Sequence, residues 1–191
     1  PWGPLRAPVA FEGDLLAVVA LLGAGRFMTV LSALDTGSSF EAMGASREVQ
    51  FAALTEPALL LILLALAQMG HSLCLSTLLQ SLPPDRWIAG APALLLIAIG
   101  LTLALLVENC RIPFDDPNTH LELTMIHEVM VLDHTGPDLG LIHYGAALKL
   151  WILSLLLAHL FMAWFFAAGA PAIPLVAGAL AGVALLIGAV E

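Results

Sequence analysis

The sequence predicts an all-α fold, a polytopic bundle of membrane-spanning helices, and three observations support this prediction. Of the 191 residues, 60% are hydrophobic and only 11% are charged, whereas soluble domains carry about 25% charged residues. The mean hydropathy is +0.98. The apolar residues also gather into five segments, each close to the ~20 residues that a helix needs to cross a bilayer. Lipid is therefore the predicted solvent of this chain.

The five predicted spans differ in how much charge they contain. The first contains Arg26, the second Glu56, and the fourth Lys149 and His159, while the third and fifth contain no Asp, Glu, Lys or Arg. We expect the whole chain to form a single membrane domain. Because its first residue is not Met, we also expect the chain to be a fragment of a longer subunit. The spans are predicted over residues 14–34, 48–69, 87–107, 143–168 and 171–190.

Two connectors are predicted on the same face of the membrane, because neighbouring spans run antiparallel. Residues 35–47 form a Gly- and Ser-rich loop, and residues 108–142 form a long connector that contains 7 of the 15 acidic residues. The long connector is predicted to contain an amphipathic helix that begins at Asp116-Pro117, where Pro occupies the first helical position, and continues to Leu132. A Gly-Pro pair then ends it.

Two acids of this connector helix fall on its apolar side. Glu122 and Asp133 are eleven residues apart and nearly aligned at 100° per residue. Burying a carboxylate in an apolar environment is costly. The pattern therefore predicts a buried polar cavity or a proton route beside the connector.

Several classes of site are excluded by charge and composition. Six Lys and Arg residues against 15 Asp and Glu give a net charge of −9, so nucleic acid is not an expected partner. Cys74 and Cys110 flank the span 87–107, which places them too far apart for a disulfide. Without a CxxC pair, no iron–sulfur cluster is expected in this chain. The three connector histidines recur every seven residues, about 10 Å apart on a helix, so no metal site is predicted.

Charged residues inside the spans are the first candidates for function. An acid at mid-membrane costs about 2.5–3.5 kcal/mol on insertion scales and is usually functional, which singles out Glu56. Pro57 follows it and removes a backbone donor. Arg26 at mid-span requires a carboxylate, a carbonyl or water nearby. For Lys149, about two turns into its span, a side chain that extends to the interface is the favoured interpretation.

A further acid and base stand at the end of the third span. Glu108 and Arg111 are three residues apart. This spacing fits an interfacial ion pair and a functional carboxylate equally well, and both interpretations stay open.

The connector resembles a known family. Residues 108–138, ENCRIPFDDPNTHLELTMIHEVMVLDHTGPD, are similar to a stretch of the formate hydrogenlyase subunit 4 and hydrogenase-4 component C family, which is related to subunit 1 of respiratory complex I. Residues 34–38 and 44–48 are also typical of that hydrogenase branch. Arg47 precedes Glu56 by nine positions, a spacing similar to that of the complex I branch. Cys110 stands where the family usually has Gly.

The resemblance implies a function that the residues alone do not. It implies a membrane-embedded coupling subunit of a membrane-bound [NiFe] hydrogenase or formate hydrogenlyase-type complex, in the cytoplasmic membrane of a prokaryote. Such a subunit anchors the peripheral redox arm, links electron transfer to proton translocation and is not catalytic alone. The alternatives are the quinone-site subunit of complex I and a structural membrane anchor without ion conduction.

The resemblance also implies partners and cofactors. The expected partners are hydrogenase-like large and small subunits, a ferredoxin-like iron–sulfur subunit and antiporter-like membrane subunits. We expect no cofactor in this chain, with the [NiFe] centre and the iron–sulfur clusters in the partners. A quinone is possible but unsupported, because the acidic stretch is of the hydrogenase type.

Site residues follow from the resemblance position by position. The carboxylates assigned to a proton path are Glu56, Glu108, Glu122, Glu128 and Asp133. The residues assigned to the cavity and the interface with the peripheral arm are Arg47, Arg111, Asp115 and Asp116.

Overall fold

The protein is a bundle of α-helices in the computed structural model, which describes residues 9–81, 89–111, 114–115 and 125–167. Four of the described helices are long and apolar enough to cross a membrane, and no strand occurs among the described residues. The predicted all-α membrane fold is confirmed, and the fifth predicted span, 171–190, lies outside the described residues. The helices are α1 (Asp14–Asp35), α2 (Ser39–Gly70), α3 (Leu75–Ser81), α4 (Ala91–Glu108) and α5 (Gly136–Ala167), with a 3-10 helix at Val129–Val131.

Helix α2 begins nine residues before the predicted span 48–69, so the predicted loop 35–47 is wrong from Ser39 onwards. Ser38 has extended backbone angles (φ −73°, ψ 130°) and occupies the N-cap position, which Ser favours. Glu41 lies in the first turn, where the helix dipole favours an acid. The apolar pattern predicted only the membrane-spanning part of α2, because residues 39–47 are mostly polar or small.

The connector differs from its prediction in the part that is described. Residues 125–135 form turns and the 3-10 helix, not an α-helix, and residues 116–124 lie outside the described residues. Backbone groups of this segment bind a side chain from earlier in the chain. Asp115 Oδ2 accepts from the backbone N–H groups of Ile126 (3.0 Å) and His127 (3.2 Å). Such bonds compete with helical ones.

The Gly-Pro pair at residues 136–137 of the connector begins a helix instead of ending one. Gly136 has a φ of +64°, which glycine adopts without strain. Pro137 falls in the first turn of α5, where its missing N–H leaves no helical bond unmade. Helix α5 therefore begins seven residues before the predicted span 143–168.

Helix α2 lies at the centre of the bundle and packs against α1 and α4, while α5 packs against α4 and α1. A second, smaller apolar cluster joins α1 and α2 to the connector through Val30, Ala33, Ala45 and Met130. The connector thereby covers one end of the bundle. The buried leucines of the main core include Leu59, Leu63, Leu101, Leu105, Leu153 and Leu157.

Candidate functional site

A buried arginine lies between three carboxylates from two other helices. Arg26 on α1 places Nε 3.0 Å from Glu48 Oε1, Nη1 3.2 Å from Glu56 Oε1, and Nη2 in contact with Glu108 Oε2. Lys149 on α5 adds a second cation, with Nζ 4.0 Å from Glu108 Oε2. These five residues are the ion-pair cluster, and they come from all four of the long helices.

Helix geometry explains how residues at different depths meet at Arg26. Glu48 and Glu56 are eight residues apart on α2, about 12 Å along its axis. Side chains on a helix tilt towards its N-terminus. Because α1 and α2 run antiparallel through a link of three residues, the Arg26 side chain tilts away from the connector, and that of Glu56 tilts towards it. The guanidinium therefore reaches both acids of α2.

The members of the cluster are not equally enclosed. The exposed fraction of the side chain is 6% for Arg26, 6% for Glu48 and 1% for Glu108, but 41% for Glu56. Two cations and three acids leave one formal negative charge in excess. In a setting where charge is costly, such an excess favours the uptake of a proton or another cation.

Cys110 binds the Glu48 oxygen that does not pair with Arg26. It follows α4 and has a φ of +47°, a left-handed conformation that favours glycine. Its Sγ donates to Glu48 Oε2 over 3.1 Å. Burial, followed by the charge of Glu48, raises the pKa of the Cys110 thiol, so it stays protonated and able to donate.

A cavity of about 1040 Å³ connects the ion-pair cluster with the connector. Burial, and then the positive charge of Lys149, lowers the pKa of His127 to about 4, so this ring is neutral at pH 7. The ring of His143 lies beside it, with centroids 6.3 Å apart. The polar residues that line the cavity include Arg26, Glu48, Glu108, Arg111, Asp115, His127, Glu128, His143 and Lys149.

The connector is held over this end of the bundle by buried polar contacts. Arg47 Nη1 donates to the carbonyl of Met125 over 3.1 Å. Glu41, fully buried, accepts from the backbone N–H of Asp133 over 2.8 Å and from the Thr36 hydroxyl.

Two further contacts bind the connector to α1 and α2. The Ser32 hydroxyl lies 3.0 Å from His134 Nε2. At Gly44, a Cβ would lie 3.0 Å from the carbonyl oxygen of Ile126, so only glycine allows α2 to approach the connector this closely. The connector is therefore positioned by α1 and α2 together.

The structure brings four of the predicted residues into one cluster: Arg26, Glu56, Glu108 and Lys149. Lys149 lines the cavity, with its Nζ 4.0 Å from Glu108 Oε2. Glu108 pairs with Arg26, a partner that its spacing from Arg111 did not indicate.

The connector residues are placed differently. Glu128 is exposed at the cavity. Asp133 is exposed, so the prediction that it faces an apolar layer is wrong, because Glu41 binds its backbone and leaves its side chain at the surface. Asp115 and Arg47 bind connector backbone, and Arg111 lines the cavity. The proton-path and interface roles stay predictions, and Asp116 and Glu122 lie outside the described residues.

Two buried acids were missed as site residues, Glu41 and Glu48. They are seven residues apart and lie on the same face of α2 as the buried Thr55, Leu59 and Leu63. This shared face was a usable signal. It went unnoticed because residues 35–47, which include Glu41, were predicted to be a loop, so the helical face that Glu41 shares with Glu48 was not considered.

Within the described ranges, no group of three or more His, Cys, Asp and Glu side chains is arranged to hold a metal ion. Cys74 and Cys110 are both free thiols. The side chains of the ion-pair cluster can form ion pairs and hydrogen bonds and can transfer protons.

Comparison with known proteins gives a family. Residues 1–189 match the family described as NADH dehydrogenase. The chain is 36% identical to hydrogenase-4 component C of Escherichia coli (strain K12) over 156 residues, which are 82% of this chain and 48% of that protein. It is 31% identical to formate hydrogenlyase subunit 4 of the same organism over 159 residues, 83% of this chain and 50% of that protein. The chain thus spans about half the length of these curated relatives. No solved structure matches it.

Proposed function

This chain belongs to the NADH dehydrogenase family, and on that premise we propose that it is the membrane-embedded coupling subunit of a [NiFe] hydrogenase or formate hydrogenlyase-type complex. The family resemblance inferred from residues 108–138 is confirmed. In this proposal the chain anchors a peripheral redox arm in the cytoplasmic membrane of a prokaryote. The [NiFe] centre and the iron–sulfur clusters belong to partner subunits, and this chain links their electron transfer to proton translocation.

The observation that supports this proposal most directly is the ion-pair cluster. Arg26 is shared by three carboxylates, so a small displacement of its guanidinium changes which of them is compensated. A nearby cation favours the ionised form of a carboxyl group, and its departure favours the protonated form. Moving Arg26 or Lys149 can therefore make Glu108 or Glu56 bind or release a proton.

The cavity supplies a route from the connector to the cluster. Asn109, Asp115 and His127 line it, and each has a buried polar atom that no side chain or backbone group in the described part of the chain satisfies. Buried polar groups are bonded by protein or by ordered water, which favours a hydrated cavity. Protons can then pass from the connector side to Glu108 and onwards to Glu56, the carboxylate that contacts the same Arg26 guanidinium.

The connector is the element through which a redox partner can act on this cluster. It is bound to α1 through Ser32 and to α2 through Glu41 and Arg47. A partner that shifts the connector therefore shifts the two helices that hold Arg26, Glu48 and Glu56. A coupling element requires a network that switches between discrete arrangements. In this proposal, the arrangements differ in which carboxylate Arg26 contacts.

The test uses the whole complex in inverted membrane vesicles, with hydrogen evolution and vesicle acidification measured together. We expect Glu108→Gln and Glu56→Gln to retain hydrogen evolution but to lose at least ~100-fold of proton translocation, as when a proton-transfer group is removed. Gln keeps an oxygen acceptor for Arg26, so assembly is preserved. Glu12→Gln, an exposed acid at the opposite end of the bundle, serves as the control.

Other outcomes decide between the alternatives. Unchanged coupling in both variants, with normal assembly, contradicts the proposal and leaves a structural anchor. Co-purification of the chain with NADH- and flavin-binding subunits, together with quinone reduction, assigns it to a complex I-type enzyme instead.

A further inference from the structure

We propose that Gly23 is a positioning residue, because its missing side chain leaves a notch in α1 that admits the Glu56 carboxylate to Arg26. The inference rests on the proposed function, since it specifies what holds one proton-path carboxylate in register with its cation. It concerns a residue that carries neither charge nor a hydrogen-bonding side chain.

The geometry at Gly23 is specific to Glu56. A Cβ at this position would lie 3.2 Å from Glu56 Oε1 and 3.4 Å from both Cδ and Oε2. All three of the nearest heavy atoms belong to this one carboxylate. The oxygen nearest to the notch, Oε1, is also the one that accepts from Arg26 Nη1 over 3.2 Å.

Gly23 and Arg26 both contact the Glu56 carboxylate from the same face of α1. They are three residues apart, and residues at this spacing are neighbours on a helix surface. The carboxylate thus lies over one turn of α1, with the glycine notch at one end and the guanidinium at the other. Gly23 lies inside a regular helix, where Gly is less favourable than Ala. A glycine at this position leaves room for the Glu56 carboxylate, which an alanine would crowd.

Glu56 is the cluster carboxylate for which such a notch matters. Glu48 and Glu108 are almost fully enclosed, whereas 41% of the Glu56 side chain is exposed. An exposed side chain has other conformations available to it. Any bulk at Gly23 therefore displaces Glu56 from Arg26 and leaves the two enclosed ion pairs in place.

The experiment compares Gly23→Ala and Gly23→Val with Gly25→Ala and Gly25→Val in membranes that contain the whole complex. A Cβ at Gly25 would meet nothing within 4 Å, and both glycines lie in α1, so the change in helix preference is matched. Dicyclohexylcarbodiimide reacts with protonated carboxyl groups in apolar surroundings. Its incorporation at Glu56 is followed by mass spectrometry across a pH series, with Glu56→Gln as the blank.

The measured quantity is the proton concentration at which labelling of Glu56 is half-maximal, because altered access of the reagent changes the extent of labelling and not this midpoint. We expect Gly23→Val to lower that concentration about two- to fivefold, the worth of a partly exposed ion pair. Gly23→Ala gives a smaller change in the same direction, since the carboxylate has only to move by a few tenths of an ångström. Both Gly25 variants leave the midpoint unchanged.

The outcomes separate this inference from the proposed function. An unchanged midpoint in Gly23→Val, or an equal change in Gly25→Val, overturns the positioning role. A shifted midpoint in Gly23→Val supports the positioning role whatever Glu56→Gln and Glu108→Gln do to proton translocation, and those two variants test the proposed function separately. If Gly23→Val does not assemble, the comparison of Gly23→Ala with Gly25→Ala decides the question, and an unchanged midpoint there overturns the inference.

Discussion

At the residue scale, the arrangement of charge around Arg26 accounts for both the stability and the chemistry of the site. A cation enclosed to this degree is tolerated only with partners, and it has three carboxylates. Removing one partner of a buried pair costs about 3–5 kcal/mol, whereas an exposed pair contributes 1 kcal/mol or less. Glu48 and Glu108 thus hold Arg26 more strongly than Glu56 does, and the contact with Glu56 is the one that a small displacement of the guanidinium exchanges most easily.

Cys110 shows how a local departure is accommodated. A left-handed residue that is not glycine is disfavoured, yet at φ +47° its thiol reaches Glu48. The hydrogen bond offsets part of the backbone cost, since bonds to a charged acceptor are the stronger kind. The left-handed conformation thus gives Glu48 a hydrogen bond from the thiol in addition to its ion pair with Arg26.

A pH dependence is expected from His127. Its pKa is lowered to about 4 by burial from an ordinary value of about 6.5, so the unfolded chain binds a proton before the folded one does. Stability is therefore fully present above about pH 6.5 and falls as the pH drops towards 4, by no more than about 3 kcal/mol. The measurement is thermal unfolding of the purified complex at a series of pH values.

The matched variant for this prediction is His127→Phe, which keeps an aromatic ring and cannot titrate. Carboxylates elsewhere also titrate in this range, so the informative quantity is the difference between the two proteins. We expect the difference in melting temperature to change between pH 6.5 and 4 and to be constant above. A constant difference throughout would show that the pKa of His127 is not lowered in the folded protein.

At the element scale, the sequence predicted the spans better than the helices. The lipid-facing segment of α2 was recognisable because insertion requires about 20 apolar residues. The turns from Ser39 to Arg47 were missed because they contact the connector, and an apolar pattern contains no information about such a partner. Embedded charges were recognisable as candidates on the cost of burying them, but their partners lie 22 to 82 residues away in sequence for Arg26.

The connector was the least predictable element for a related reason. Its periodicity favoured a helix through Leu132, but its backbone is bound by Asp115, eleven residues before Ile126, and by Glu41 of α2. Side-chain bonds of this kind depend on tertiary contacts that a single sequence does not display. The same segment contains the motif that identified the family. The motif therefore predicted the family correctly although the conformation predicted for its described part was wrong.

Gly44 provides a test of how the connector is held. A valine here places its Cβ 3.0 Å from the carbonyl oxygen of Ile126 and 3.1 Å from Met130 Cγ, and a backbone carbonyl cannot move aside as a side-chain end can. We expect Gly44→Val to weaken connector docking by about 1–3 kcal/mol, as overpacking does. Hydrogen exchange of the amides at 126–131 should accelerate accordingly.

The control is Gly140→Ala, a helical glycine whose added Cβ would meet nothing within 4 Å. It should leave exchange at 126–131 unchanged. Equal exchange in Gly44→Val and the parent protein would mean that the connector is not held by this contact.

At the scale of the whole molecule, the bundle has a membrane layer and a layer beyond it. The 32 residues of α2 extend about 48 Å, compared with about 30 Å for the hydrocarbon core. The 18 residues of α4 extend about 27 Å and end at Glu108. Since Glu108 and Glu48 share Arg26, the turns of α2 before Glu48 lie beyond the end of α4, beside the connector.

This layering predicts different chemical access for two positions with exposed side chains. Ser46 and Leu61 are both exposed on the protein surface, but only Ser46 lies outside the layer that lipid covers. In Cys74→Ser membranes, a membrane-impermeant maleimide should label Ser46→Cys at least ~10-fold faster than Leu61→Cys. Equal labelling rates in sealed vesicles of the matching orientation would contradict the assignment of the two layers.

The three-residue link between α1 and α2 also bears on how the chain is made. The two helices emerge from the ribosome consecutively and can pair as a hairpin before α4 has been synthesised. Within that hairpin Arg26 already has Glu48 and Glu56 as partners, so the insertion machinery receives compensated charges in place of a lone cation. Glu108 arrives later and takes up an arginine that is already in the membrane, which makes the order of synthesis the order in which the site is assembled.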